Sequence, residues 1–295
     1  PWDQYWTKLE AAATGGSMPD VFWMHSSQHI RYAQSGMLMD LNEVIEKSDV
    51  LDMDNFYQGV VDLYNVDGKQ IAIPKDVSTI PLWYNKTLFD ELGLEVPTTF
   101  EEFAQVSKTI TEKKGIVGAG FDSLNNFYTT YLKNKGVDFN SETDVTSAES
   151  VEAANYYLDG VKEGYFRIAG TDNYLSGPFA AEQLGMYVGS NAGESFVKQG
   201  VDGKFEIGVA AYPAESVMQQ GTDLYMFSNA TAEQRTAAFE FLKFLTSTEN
   251  QVTWGVETGY IPATQDAVTT EDYTNSGSLV APILEQATSK NLFLN

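Results

Sequence analysis

Two histidines four residues apart, His25 and His29, are the first pair in this chain whose types and spacing invite chemistry. One helical turn would set both imidazoles on one face, as a metal site requires. No glutamate or third ligand accompanies them, and His25 falls at the end of a strand pattern, so no metal is expected. Acid pairs such as Asp52 and Asp54 have the residue type of a glycosidase, yet with 41 Asp and Glu against 18 Lys and Arg they read as solvated turns. There is no Gly-x-Ser-x-Gly elbow, no Walker phosphate loop and no cysteine, which removes thiol catalysis, thiolate metal ligation and disulfides together. The expectation is a chain with no catalytic residues, no cofactor and no metal.

The elements that would position a binding site are better marked. The stretch Gly68 to Asn85, GKQIAIPKDVSTIPLWYN, holds two apolar segments joined by Lys75 and Asp76, with Pro74 and Pro81 bracketing the second. A proline cannot donate to a strand ladder, so the second segment reads as an extended crossing that presents Ser78 and Thr79, or equally as an edge strand with a polar lead-in. Val21 to Met24 reads as a buried strand ending at His25-Ser26-Ser27, and Ile116 to Gly120 as another that delivers Phe121-Asp122-Ser123. Ligands of open α/β sheets lie beyond such carboxyl ends. Gly189 to Gly193 is a small-residue loop where backbone can approach a ligand, Gly221-Thr222 precedes a further strand, and Thr258 to Pro262 reads as a second extended crossing that carries Tyr260.

Helix patterns alternate with these strands. Thr99 with Glu102, Thr231 with Gln234 and Thr248 with Gln251 have capping-box spacing. Val151, Ala154, Leu158 and Val161 are expected to face inward on one helix, and Ala238, Phe241, Leu242 and Leu245 on another. The alternation argues for parallel α/β sheets.

At 295 residues the chain has room for two ordinary domains, and its net charge of −23 repels polyanions, so nucleic acid is excluded as a partner and an anionic membrane surface is disfavoured. No apolar run approaches the ~18 residues of a membrane span. The opening Pro1-Trp2-Asp3 runs directly into a helix pattern and reads as a start inside a domain.

Four blocks together carry a resemblance: PDVFWMHSSQHIRYAQSGMLMDL, GKQIAIPKDVSTIPLWYNKTLFDELGL, FAAEQLGMYVGS, and the run from GTDLYMF through TAAFEFLKFLTSTENQ to TGYIPA. In content and order they resemble the family 1 extracellular solute-binding proteins of ABC importers, the group of the maltodextrin-binding and glycerol-3-phosphate-binding proteins. The resemblance implies an α/β, two-lobed periplasmic-binding-protein-like fold of type II, with a ligand cleft between lobes joined by hinge strands. It places residues 1–82 and 219–260 in an N-terminal lobe and 83–218 and 261–295 in a C-terminal lobe. It also implies a chain trimmed at both ends. The partners it implies are a carbohydrate or polyol ligand and the membrane subunits of a permease, with the protein a monomer in the periplasm or lipid-anchored outside the cell membrane.

Within that frame the maltodextrin pattern is not preserved, because Ser26-Ser27 stand for its Asp-Arg pair, Ser78 for its hinge acid and Asn191 for its sugar-stacking tryptophan. The glycerol-3-phosphate type is closer at Ser78-Thr79, Gly189-Ser190 and Gly221. Sugars are held by aromatic faces and planar polar groups. The expected ligand-binding set is therefore Trp2, Trp23, Phe121 and Tyr260 for stacking, with His25, Ser26, Ser78, Thr79, Asp122, Ser190, Asn191, Gly221 and Thr222 around hydroxyls; Trp83 and Trp254 are expected in the core. A secreted α/β enzyme acting on glycosides is the alternative.

Overall fold

The computed structural model describes residues 2–48, 51–289 and 291–294, with side chains at all of these except residues 2, 3 and 25–27. The strands that build its two sheets and their connection are β1 (Val21–His25), β2 (Ile73–Pro74), β3 (Asp76–Val77), β4 (Leu82–Asn85), β5 (Val117–Phe121), β6 (Phe166–Ile168), β7 (Leu184–Val188), β8 (Ile207–Ala210), β9 (Val217–Met218), β10 (Thr222–Met226), β11 (Ile261–Pro262) and β12 (Leu292–Phe293). One sheet has the order β1-β10-β2, and the other the order β8-β4-β7-β5-β6.

The expectation of parallel sheets holds only in part. β5 runs parallel to β6 and β7, but β10 is antiparallel to both its neighbours, and β4 is antiparallel to β7 and β8. β4 is where the chain first enters the second sheet and β10 is where it returns to the first, so each comes in from the other lobe and opposes strands laid down by local βα units. Pro74 sits in β2 at a sheet edge, where its missing N–H costs no ladder bond.

One continuous core runs through both sheets, with further packing local to each. Leu41, Phe56, Ile73, Leu224, Met226 and Leu242 close around the first. Phe103, Phe121, Phe127 and Phe166 interlock over the second, with Phe121 and Phe127 centroids 4.6 Å apart. At roughly 2 kcal/mol or more per buried phenylalanine, this aromatic cluster is a large share of that lobe's stability.

Two helix faces differ from the periodicity. On Ala148–Glu163 the buried residues are Ser150, Ala153 and Gly160, while Val151, Leu158 and Val161 are exposed. A methyl at Gly160 would overlap the Phe166 ring, so close approach of the helix selects small residues for the inner face. On Ala232–Thr246, Ala238, Leu242 and Thr246 are buried and Phe241 is exposed.

The capping signals also resolve. Thr231 and Gln234 form the reciprocal box, whereas Glu102 reaches back to the amide of Thr98, one residue before the Thr99 cap. Gln251 does not cap at all. Its amide donates to the carbonyls of Lys75 and Leu245 and accepts from the Ala263 N–H, tying the root of the first crossing to the strand that follows its helix.

The stretch Gly68 to Asn85 is the connection between sheets. Residues 70–83 are all buried. β3 pairs antiparallel with β11, so the segment read as a second crossing turns at Gly259 and runs back along the first. The chain beyond 261 then bonds both lobes: Gln265 to the backbone of residues 54–56, Leu279 to Glu194, and β12 in parallel to β9.

Candidate functional site

Thr79 leaves the first lobe fully buried, with its N–H donated to Asn191 Oδ1 at 2.7 Å, and that bond is where the predicted residues begin to converge. Ser78 Oγ and Ser190 Oγ are 2.7 Å apart, and the Ser78 N–H goes to Gln219 Oε1 at 3.1 Å. Asn191 is wholly buried and its Nδ2 donates to the Gly259 carbonyl at 2.8 Å. Thr222 gives its N–H to Asp76 Oδ1 at 2.8 Å. At Gly221 a methyl would overlap the Asp76 carbonyl oxygen, so glycine is what lets the two connecting segments lie together. Ser78, Thr79, Ser190, Asn191, Gly221 and Thr222 are thus brought into one polar lattice, whose hydrogen bonds are made largely to one another and to the backbone.

Asp76 organises the near side of that lattice. Besides Thr222 it accepts from Trp254 Nε1 at 2.9 Å and pairs with Lys75, whose ammonium lies 3.9 Å from the centre of the Trp254 ring and 5.6 Å from that of Tyr260. Trp254 is therefore no core residue. It is 40% exposed, with its plane fixed by a carboxylate on its nitrogen and a cation on one face. Asp223, next along β10, is completely buried, and desolvation pushes its carboxyl well above the usual range, with the Asp76 carboxylate adding to the rise and the Tyr64 hydroxyl opposing it.

On the far side stands Asp122, immediately after β5. Its Oδ1 accepts the Leu175 N–H at 2.6 Å, and burial raises its carboxyl to about 6 against that bond. The segment it holds contains a strained turn: Tyr174 N–H bonds Asp172 O at 2.8 Å across Asn173, which has φ 62° and ψ −47°. That is the rare γ-turn, and strain of this kind gathers at ligand clamps. The turn presents Tyr174 66% exposed; the Tyr260 hydroxyl is pushed up chiefly by burial, then by the Asp76 carboxylate, with Tyr174 a smaller contributor.

Trp23 is 46% exposed with its ring stacked on Tyr5, centroids 6.0 Å apart. Phe121 is corrected: at 2% exposure, packed between Phe103, Phe127 and Phe166, its ring belongs to the aromatic core, because alternation along β5 turns it away from the side that Asp122 serves. The side chains of Trp2, His25 and Ser26 lie outside the described residues. His29 is buried edge-on against Tyr64. An apolar hollow of about 410 Å³ between Leu124, Tyr128, Tyr157 and Leu158 opens two residues beyond Asp122, and another of about 310 Å³ lies near Leu51 and Met53, away from the lattice.

The sequence reading missed Lys75, Asp76, Tyr174, Gln219 and Trp254. A usable signal existed for the first two: a charged pair inside an otherwise apolar run is tolerated in a buried strand only when the charges are paired. Nothing in the local pattern singled out Tyr174, whose exposure comes from a turn formed by a non-glycine residue.

Two α/β lobes joined by a buried, hydrogen-bonded connection, with aromatic and carboxylate groups on both sides of it, define a two-lobed fold of the periplasmic-binding-protein type. The bacterial extracellular solute-binding protein family matches residues 1–281, and the chain belongs to it. Among relatives, the sn-glycerol-3-phosphate-binding periplasmic protein UgpB of Brucella abortus is 25% identical over 87% of this chain. The chain spans 65% of that relative's length. Among solved structures, UgpB from Mycobacterium tuberculosis in complex with glycerophosphocholine aligns with TM-score 0.82 at 22% identity, covering 94% of this chain and 72% of that one. The sugar-binding protein MalE from Xanthomonas citri aligns with TM-score 0.83 at 20% identity, covering 100% and 78%. Both likenesses establish the two-lobed fold. Among the described residues no helix is long and apolar enough to cross a membrane.

Proposed function

We propose that this chain is the solute-binding component of an ABC importer, which closes its lobes on a sugar, oligosaccharide or polyol, phosphorylated or not, and hands it to a membrane permease. It acts as a monomer outside the cytoplasmic membrane, without chemistry of its own. One lobe comprises residues 1–82 and 219–260 and the other 83–218 and 261–295, the last stretch bonding to both. The observation that carries the reading is the placing of aromatic and charged groups on both sides of the connection: Trp254, Tyr260 and Lys75-Asp76 on one side, Tyr174 and Asp122 on the other.

Aromatic faces take the C–H surfaces of a pyranose, and a carboxylate takes its hydroxyls. Trp23, Tyr174, Trp254, Tyr260 and Asp122 are the contacts we assign. Thermal melting against mono- and oligosaccharides, polyols and their phosphates tests this, since a ligand at 100 times its Kd stabilises by about 2.7 kcal/mol. The expected result is a raised Tm with the compound recovered intact. Turnover, or no shift with any member of these classes, contradicts it.

A further inference from the structure

We propose that Asn191 is the pivot of lobe closure, a positioning residue that touches no ligand. It rests on the closure reading above. Asn191 belongs to the loop after β7, in the second lobe. Its one amide group holds two other pieces of chain: Oδ1 takes the Thr79 N–H of the first crossing, and Nδ2 gives to the Gly259 carbonyl at the end of Thr248–Thr258, a helix packed on the first lobe. Its own N–H closes the ring by donating to Thr79 O at 3.2 Å.

The side chain is wholly buried, so a broken bond here would strand an amide, a carbonyl or an N–H away from water. Two bodies that rotate against each other can keep so short a set of bonds only close to the axis, where displacement is least. Gly259 supports the placement. It has φ 80°, and a Cβ there would run into Glu194, so the turn is built to sit against the second lobe.

On the first-lobe side Asp76 does the corresponding work, holding Thr222, Trp254 and Lys75 at once. Between the two clamps lies little chain. There the Ser78 carbonyl accepts the Gln220 N–H at 2.7 Å, and the Ser78 N–H donates to Oε1 of the buried Gln219 side chain. Closure then tilts one lobe about Asn191.

The native chain has no cysteine, so spin labels can be placed only where wanted. Ala237→Cys and Asn155→Cys put one label on an exposed helix position of each lobe, and double electron–electron resonance on the ligand-free protein reads the distance distribution. The expected result is a single narrow distribution in the otherwise native chain, broadened or split by Asn191→Ala and by Asn191→Asp. A role in packing alone would lower Tm and leave the distribution in place, and an unchanged distribution in both folded variants overturns the proposal. Should neither variant fold, hydrogen exchange of the native chain decides. The amides of Thr79 and Asn191 are expected to exchange within about tenfold of those in β4, and exchange at unprotected rates overturns the pivot. Neither measurement involves a ligand, so failure here leaves the binding reading to its own melting test.

Discussion

Burial around Asp122 makes its carboxyl hold a proton to about 6, above the ordinary carboxylate value near 4. Because the folded chain then binds the proton more tightly than the unfolded one, this group's stabilising contribution is complete below about pH 4 and is lost as the pH rises to about 6. Up to about 3 kcal/mol is at stake. Asp122→Asn keeps an acceptor for the Leu175 N–H and cannot ionise. Its stability, followed by urea unfolding, is expected to exceed the native chain's at pH 7.5 and to match it near pH 4; equal stabilities at both would show that Asp122 ionises freely. Trp23 gives a second expectation. Just over half of it is buried, so Trp23→Ala costs about 2 kcal/mol of stability. Loss of a stacking face worth about 0.5–1.5 kcal/mol weakens binding of the ligand found by melting several-fold. Calorimetric titration checks this, and unaltered affinity would remove Trp23 from the site.

Among elements, the connection is the most tightly specified. Gly221 lies where any side chain would meet the Asp76 carbonyl, so Gly221→Ala is expected to lower stability by about 1–3 kcal/mol through overpacking, read as a lower urea midpoint with an unchanged slope. A midpoint equal to the native one would mean that the two segments separate easily. The crossing was legible in the sequence because Pro74 and Pro81 bar it from a central strand and its two apolar segments demand burial. Its bonding was not. Ser78, Thr79, Ser190 and Asn191 have the residue types of a sugar site, and only long-range geometry shows Ser78 and Ser190 bonded to each other and Asn191 spent on the backbone. The helix faces failed for a related reason. Periodicity ranks residues by hydrophobicity, but on Ala148–Glu163 close packing against Phe166 selected Gly160 and Ala153 over Val151 and Leu158.

At the level of the whole molecule, 41 acidic and 18 basic residues surround the two sheets, so self-repulsion acts within and between lobes. Raising sodium chloride from 50 to 500 mM shortens the screening length from over 10 Å to about 4 Å and is expected to raise Tm. A falling Tm would mean that surface ion pairs outweigh the repulsion. The alternation of β and α units made two α/β lobes readable from sequence, whereas the antiparallel course of β4 and β10 followed from the lobe exchange that no local pattern records. Closure is the property on which all of this converges. Small-angle X-ray scattering of the chain with and without a saturating amount of the ligand identified by melting measures it directly. The radius of gyration is expected to fall on binding, and an identical value for the free and fully liganded chain would contradict a hinged cleft.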